Sequence, residues 1–383
     1  MDFWLLSLVI VSISVGWAVG RWRPFKKKDN TNQFEIYSDS YAQGLNYLLS
    51  DDSENAIKVF TNIIEVSPNT IEIHLSLGNL FRSKGEVDHA IKVHQDLLAR
   101  TDLSQIQRNT VIGELANDYL KSGLLDRAEQ LFKELIDLDN SHLIAYGHLL
   151  DIYITQKSWN EAIIYAQILF DRQSEGASAT LSQCLCEAAE EALTKGNIKQ
   201  AKTNLTKALD ADRNCIRATL LLIQLHLNAQ NNPLAQKVFQ RLIIKNPEYM
   251  TLYIEPAKEI FLHVNELAKY ELFLQQQYEQ QPSTQLAIAL LEHYLATNKS
   301  DQARQFLSEV LEKVASFGAY DLTLQFIRSD SIELADIWQG LSSLLELMQE
   351  KKTEFVCTQC GYGSQSIQWH CPSCRMWSSM KPV

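Results

Sequence analysis

The chain has 383 residues, enough for two or three ordinary domains or for one extended array. Its formal charge is −11, more acidic still once one short basic run is set aside, which argues against nucleic acid as a main partner. With 46% hydrophobic residues, only 14 Gly and 8 Pro, and few alternating β-branched runs before residue 354, the composition describes an all-α protein with little loop.

Residues 3–20 read FWLLSLVIVSISVGWAVG, uncharged, with Ser7, Ser12 and Ser14 as the polar side chains. A helix of that length spans about 27 Å, close to the ~30 Å hydrocarbon core of a bilayer. Trp4 and Trp17 stand near its ends, as interfacial aromatics do. Only Asp2 precedes it, whereas Arg21, Arg23, Lys26, Lys27 and Lys28 follow, so the positive-inside bias keeps the C-terminal flank in the cytoplasm. A cleaved signal peptide needs a basic region ahead of the apolar run; Ala18-Val19-Gly20 could serve as a cleavage site, but the charge order opposes export. The expectation is a single-pass transmembrane anchor at 1–20 and a tether at 21–36 that reaches at most some 50 Å. The bulk of the chain then faces the reducing cytoplasm.

From residue 37 to 330 one pattern recurs: a small residue, apolar positions at helical spacing, then an alanine with an aromatic or aliphatic residue four positions on. The alanines are Ala56, Ala90, Ala128, Ala162, Ala201, Ala235, Ala268 and Ala303, at steps of 34, 38, 34, 39, 34, 33 and 35. A period near 34 is that of tetratricopeptide repeats, in which a small residue on helix A packs against an alanine on helix B. Gly44 with Phe60, Gly78 and Phe81 with Gly85, and Ala116 and Tyr119 with Phe132 fit the frame; Ala268 with Leu272 is a weaker copy. The two long steps place insertions near Thr101–Ser104 and Ser174–Ser178. About eight repeats should share one continuous core and wind into a superhelix whose concave face is lined by the A helices. Glu72, His74, Glu114, Asp118 and Asp151 are the polar A-helix candidates for partner contact. Cys184, Cys186 and Cys215 fall inside repeat helices and read as buried structural residues. Residues 331–351 read as one helix that caps the last repeat and leads without a Gly/Pro linker to the C-terminal segment.

That segment, 354–383, carries Cys357, Cys360, Cys371 and Cys374, two Cys-x-x-Cys pairs ten residues apart. Each pair can point both sulfurs at one ion, and two facing pairs supply the closed four-thiolate tetrahedron of a structural zinc site. Gly361 allows positive φ after the first pair, and Pro372 pre-sets the bend of the second. His370 reads as a surface or packing residue, since four thiolates already complete the set. Trp369 and Trp377 are expected to form the core of this small domain or its seam with the array, on which it should dock. Disulfides or free thiols are the alternative, and a reducing compartment disfavours disulfides.

An anchor, about eight tetratricopeptide repeats and the terminal CTQCGY … WHCPSCRMWS segment together resemble the lipopolysaccharide assembly protein B family of Gram-negative bacteria, across essentially the whole chain. The terminal segment is also similar to a shortened rubredoxin. Cys357, Cys360, Cys371 and Cys374 match the ligands, and Gly361, Tyr362 and Pro372 match the turns. It departs from that pattern in carrying Arg375 where glycine stands and in the short spacing between pairs, which favours zinc over an electron-transfer iron site. The resemblance implies a non-enzymatic, cytoplasm-facing adaptor that controls lipopolysaccharide synthesis. Its implied partners are a membrane-bound ATP-dependent zinc metalloprotease, the deacetylase of the lipid A pathway, and lipopolysaccharide assembly proteins; monomer and homodimer both stay open. The alternative is a rubredoxin-like electron-transfer protein on a helical-repeat scaffold. An enzyme built on such a scaffold would carry a separate α/β catalytic domain, and no stretch here is long enough for one.

Overall fold

The computed structural model describes residues 12–15, 17, 40, 42–44, 46–47, 50, 52–66, 71–299, 301–303, 305–306 and 353–383. Most of the expected anchor, the tether and the capping helix therefore lie outside the described residues. Among the described residues no helix is long and apolar enough to cross a membrane.

Chain packing divides the molecule into two compact units, 1–145 and 146–383. The first contains α1 (Ser53–Val66), α2 (Ile71–Ser83), α3 (Val87–Leu98), α4 (Gln105–Lys121) and α5 (Leu125–Leu138). The second begins within α6 (Leu143–Thr155) and continues through α7 (Trp159–Asp171), α8 (Ala177–Thr194), α9 (Ile198–Ala211), α10 (Ile216–Asn228) and α11 (Asn232–Lys245). A short 3-10 turn (Pro247–Tyr249), α12 (Met250–His263), α13 (Leu267–Gln280) and α14 (Thr284–Ala296) follow, and then a three-stranded antiparallel sheet: β1 (Phe355–Cys357), β2 (Gly363–Ser364) and β3 (Met380–Pro382), in the order β2-β1-β3. This is a helical tetratricopeptide-repeat fold with a C-terminal ribbon.

The repeat physics is visible at the B-helix alanines. Ala56, Ala90, Ala128, Ala162, Ala201, Ala235 and Ala303 are all 0% exposed. Each lets a neighbouring helix approach closely, and the residue four positions on fills the space beside it: Phe60, Phe132 and Phe239 are buried there. In the first repeat only a small residue fits on the facing helix, since a Cβ on Gly44 would lie 2.7 Å from the Phe60 ring. The turn between paired helices is left-handed, at Gly85, Gly123, Lys157, Gly196, Gln230, Asn265 and Asn298, each five residues before the buried B-helix position.

That turn corrects one repeat. Asn265 places Tyr270, 2% exposed, and Leu274, 0% exposed, at the packing positions of α13. Ala268 and Leu272, read as the core pair from the sequence, are solvent-exposed. Alanine was a poor marker there because the register follows the turn, and the turn has no fixed residue type. Of the two inserted segments, Thr101–Ser104 is a loop, whereas Ser174–Ser178 runs into α8, which begins at Ala177. The one ending at Ser104 closes in a capping box, in which the Ser104 side chain accepts from the Gln107 backbone and Gln107 reaches back to the Ser104 amide.

Candidate metal centre and the cleft beside it

Two backbone knuckles of the same construction hold the four cysteines. In the first, Cys357 N donates to Tyr362 O at 2.8 Å and Gly361 N to Cys357 O at 2.9 Å. In the second, Cys371 N donates to Met376 O at 3.0 Å and Arg375 N to Cys371 O at 2.9 Å. Gly361 adopts φ +75 and Arg375, at the equivalent place, φ +59. The missing glycine therefore does not change the turn; an arginine is held in the conformation a glycine would take more readily.

The knuckles face each other. Cys357 Sγ lies 3.6 Å from Cys374 Sγ, Cys360 Sγ lies 3.7 Å from Cys371 Sγ, and all four sulfurs fall within 4.8 Å of one another. A tetrahedral zinc with bonds of about 2.3 Å requires sulfur separations of about 3.8 Å; the two close pairs already stand near that value, and the donor set suits such an ion. The electrostatics point the same way. The Ser379 hydroxyl, 3.2 Å from Cys357 Sγ, and the amides of Cys360 and Gln359 hold the Cys357 thiol down to about 6. The Tyr362 amide lowers Cys360. The Met376 amide favours the Cys374 thiolate too, but desolvation and the three neighbouring sulfurs outweigh it and push Cys374 up to about 12. Four thiolates this close repel one another, and a bound cation removes the conflict.

The ribbon is seated on the second unit by contacts to A helices. Ile367 and Trp369 pack against the apolar core of α10–α14, and Leu252 of α12 packs against the ribbon's own core of Phe355, Cys357, Cys371 and Met380. Gln183 of α8 donates to Ser378 Oγ at 2.9 Å. Gln183 Oε1 in turn accepts from Arg217 at 3.2 Å, and this buried guanidinium also pairs with Glu187 and Glu190, each at 2.9 Å. Trp369 thus forms the seam. Trp377 stacks on His370 with ring centres 4.2 Å apart, so His370 is a packing residue outside the sulfur cluster. Cys184, Cys186 and Cys215 are buried at 0, 0 and 3% exposure. Cys215 Sγ accepts from the Ala218 amide at 3.5 Å and caps α10.

The second knuckle does not lie flush on the helices. Between it and α6 and α8 a cleft of about 530 Å³ remains, lined by Gly147 and Asp151, by Glu175 and Ala179, and by Arg375, Met376 and Trp377. Asp151, one of the sequence candidates, therefore faces a ligand-sized opening. Crowding by protein raises its carboxyl above the ordinary value, although the positive charges of His148 and Arg375 act in the opposite direction.

The other candidates behave differently. Asp118 is 0% exposed and belongs to a core network: Arg82 Nη1 lies 2.8 Å and His94 Nδ1 2.5 Å from its two carboxylate oxygens. Glu114 is tied to the same Arg82 at 2.6 Å. Asp118 is therefore enclosed within the chain, whereas Glu114 is paired and half-buried. Glu72 is exposed and His74 half-buried. Arg82 and His94 escaped the sequence reading, yet His94 stands four residues after Ala90, the place the repeat reserves for an aromatic. A histidine there, with Asp118 on the next A helix, was the available signal.

The second, cysteine-bearing segment matches the rubredoxin metal binding domain over residues 355–382, and tetratricopeptide repeat models match 73–105, 114–177 and 192–253. Lipopolysaccharide assembly protein B of Haemophilus influenzae is 30% identical over 99% of this chain and 98% of its own length. The chain belongs to the lipopolysaccharide assembly protein B family. The Escherichia coli K12 protein of the same name is 29% identical over 99% of this chain and 97% of its own. Among solved structures, the C-terminal part of a tetratricopeptide repeat protein from Cytophaga hutchinsonii is 15% identical, covering 70% of this chain and 98% of that one with a TM-score of 0.39. The MamA protein is 18% identical, covering 47% of this chain and 93% of that one with a TM-score of 0.37. Family membership supports a role in lipopolysaccharide assembly and a scaffold rather than an enzyme.

Proposed function

We propose that the chain is a membrane-anchored adaptor of the inner membrane that regulates lipopolysaccharide biosynthesis from the cytoplasmic side. Residues 1–20 are its single-pass anchor, and Cys357, Cys360, Cys371 and Cys374 hold one zinc ion. The array presents the lipid A pathway deacetylase to a membrane-bound ATP-dependent zinc metalloprotease and brings lipopolysaccharide assembly proteins together. The observation that carries this reading is similarity to lipopolysaccharide assembly protein B over 99% of the chain, apolar N-terminus and ribbon included. Physically, an anchor raises the effective concentration of a captured substrate beside a membrane protease, and this requires no catalytic group on the adaptor. The ribbon's seat on A helices makes a composite surface, part helix and part metal knuckle, for that capture.

The test deletes residues 1–20. The folded protein should survive while the deacetylase accumulates in cells. A soluble truncation that regulates as well as the full chain would refute the tethering step. Co-purification of the protease and the deacetylase with the intact chain from membranes tests the partners directly.

A further inference from the structure

Two positions on opposite walls of the cleft carry local backbone costs. Gly147 lies inside α6, where glycine is a poor helix former. A Cβ built there would meet nothing within 4 Å, so no neighbour requires the glycine; its small size leaves the cleft deep. Across the opening, Arg375 is held at φ +59, a conformation unfavourable to any residue with a Cβ, while the equivalent turn in the first knuckle uses Gly361. Glycine would serve the turn equally well. Arginine instead places a permanent positive charge at the cleft. Among the described residues no carboxylate lies within ion-pair distance of Arg375, and none of the described ion pairs includes Asp151 or Glu175, both exposed on the helix side. Met376, 48% exposed, adds an apolar side chain to the lining. The walls thus bear opposite signs. A uniformly acidic or uniformly basic ligand would meet like charge on one side.

We propose that this cleft is the docking site for an extended segment of a partner protein that presents an acidic side chain to Arg375 and a basic one to Asp151 and Glu175, with an apolar residue over Met376 and Ala179. A guanidinium binds a carboxylate through two parallel hydrogen bonds, which fixes the direction in which the segment lies. The proposal rests on the adaptor reading in needing a protein partner, and it names the place where that partner is read.

The experiment places a photo-cross-linking amino acid at Thr180, which lines the cleft, and at Ile164, exposed on α7, as the control. Both are made in the full-length chain in the cells that produce it, and adducts are sequenced by mass spectrometry. Thr180 should yield adducts to segments of another protein that hold an acidic and a basic residue around an apolar one. Gly147→Gln, which fills the cleft from a helix that tolerates it, should cut the yield at least tenfold, and Arg375→Glu should do the same. Adducts at Thr180 no more abundant than at Ile164, adducts to a second copy of this chain or to lipid, or a yield indifferent to Gly147→Gln would each overturn the proposal. Co-purification with the Gly147→Gln chain separates the two readings. If the deacetylase and protease are still recovered, the adaptor stands and the cleft is not its reader. If the unaltered chain recovers neither, the adaptor reading fails whatever the cleft binds.

Discussion

Gly78→Ala and Gly147→Ala make the same chemical change in the middle of a helix, yet they should move local stability in opposite directions. Helix propensity favours alanine by about 1 kcal/mol at either site. At Gly147 nothing lies within 4 Å of the new Cβ, so that gain is expected in full. At Gly78 the new Cβ would sit 2.5 Å from His94 Cε1, and the His94 ring is 0% exposed with its Nδ1 2.5 Å from Asp118. The ring has nowhere to retreat. Overpacking costs about 1 to 3 kcal/mol, and pulling His94 from the buried Asp118 carboxylate costs about 1 to 3 kcal/mol more. The net loss is about 1 to 5 kcal/mol after the propensity gain. Because a chain of two units need not unfold in one step, the measurement is amide hydrogen exchange resolved by helix. Gly147→Ala should slow exchange in α6 about fivefold, and Gly78→Ala should speed it in α2 and α3 by about fivefold at the least and several thousandfold at the most. If both substitutions shift protection in the same direction, the packing of Gly78 on His94 is wrong.

Metal analysis of the purified chain should find one zinc per chain and no iron, and Cys357→Ser should lose the ion and the ribbon's protection together; a coloured protein with a reversible one-electron couple would instead favour electron transfer. Gln183→Ala removes the donor to Ser378 and an acceptor from Arg217, so the ribbon should become sensitive to limited proteolysis while its metal stays bound, at a cost of about 1 to 2 kcal/mol. Tyr270→Ala should cost about 3 to 4 kcal/mol in thermal unfolding of the second unit, whereas Ala268→Glu, on the exposed face, should stay within about 0.5 kcal/mol of the parent; the reverse order would restore the alanine register. Asp151→Asn should raise the melting temperature slightly at neutral pH. A carboxyl whose folded pKa is raised contributes its stability below its unfolded pKa and loses it as pH rises through the folded value, so the advantage of asparagine should vanish in acid.

Much of the fold was legible because its determinants are local. The B-helix alanines recur at the length of one helix hairpin, and a side chain four positions on must lie on the same face. Seven of the eight alanines read this way are fully buried. The eighth, Ala268, failed because its register is set by the left-handed turn at Asn265, a conformation that several residue types adopt. The sulfur cluster was equally legible, since a Cys-x-x-Cys turn converges its two thiols through backbone geometry alone.

What the sequence determined by itself is therefore the set of parts: helix hairpins of fixed period and two knuckles with convergent thiols. Each depends on residues within one or two turns of each other. Tertiary structure decided what those parts do with their charges. Asp118 and Asp151 look alike on their A helices, yet the first is enclosed by Arg82 and His94 and the second opens on a cleft facing Arg375. Nothing within a turn of either aspartate separates them, because the difference lies in which distant element packs above it. Burial of a charge, and the seat of the ribbon on the A helices, are properties of that packing.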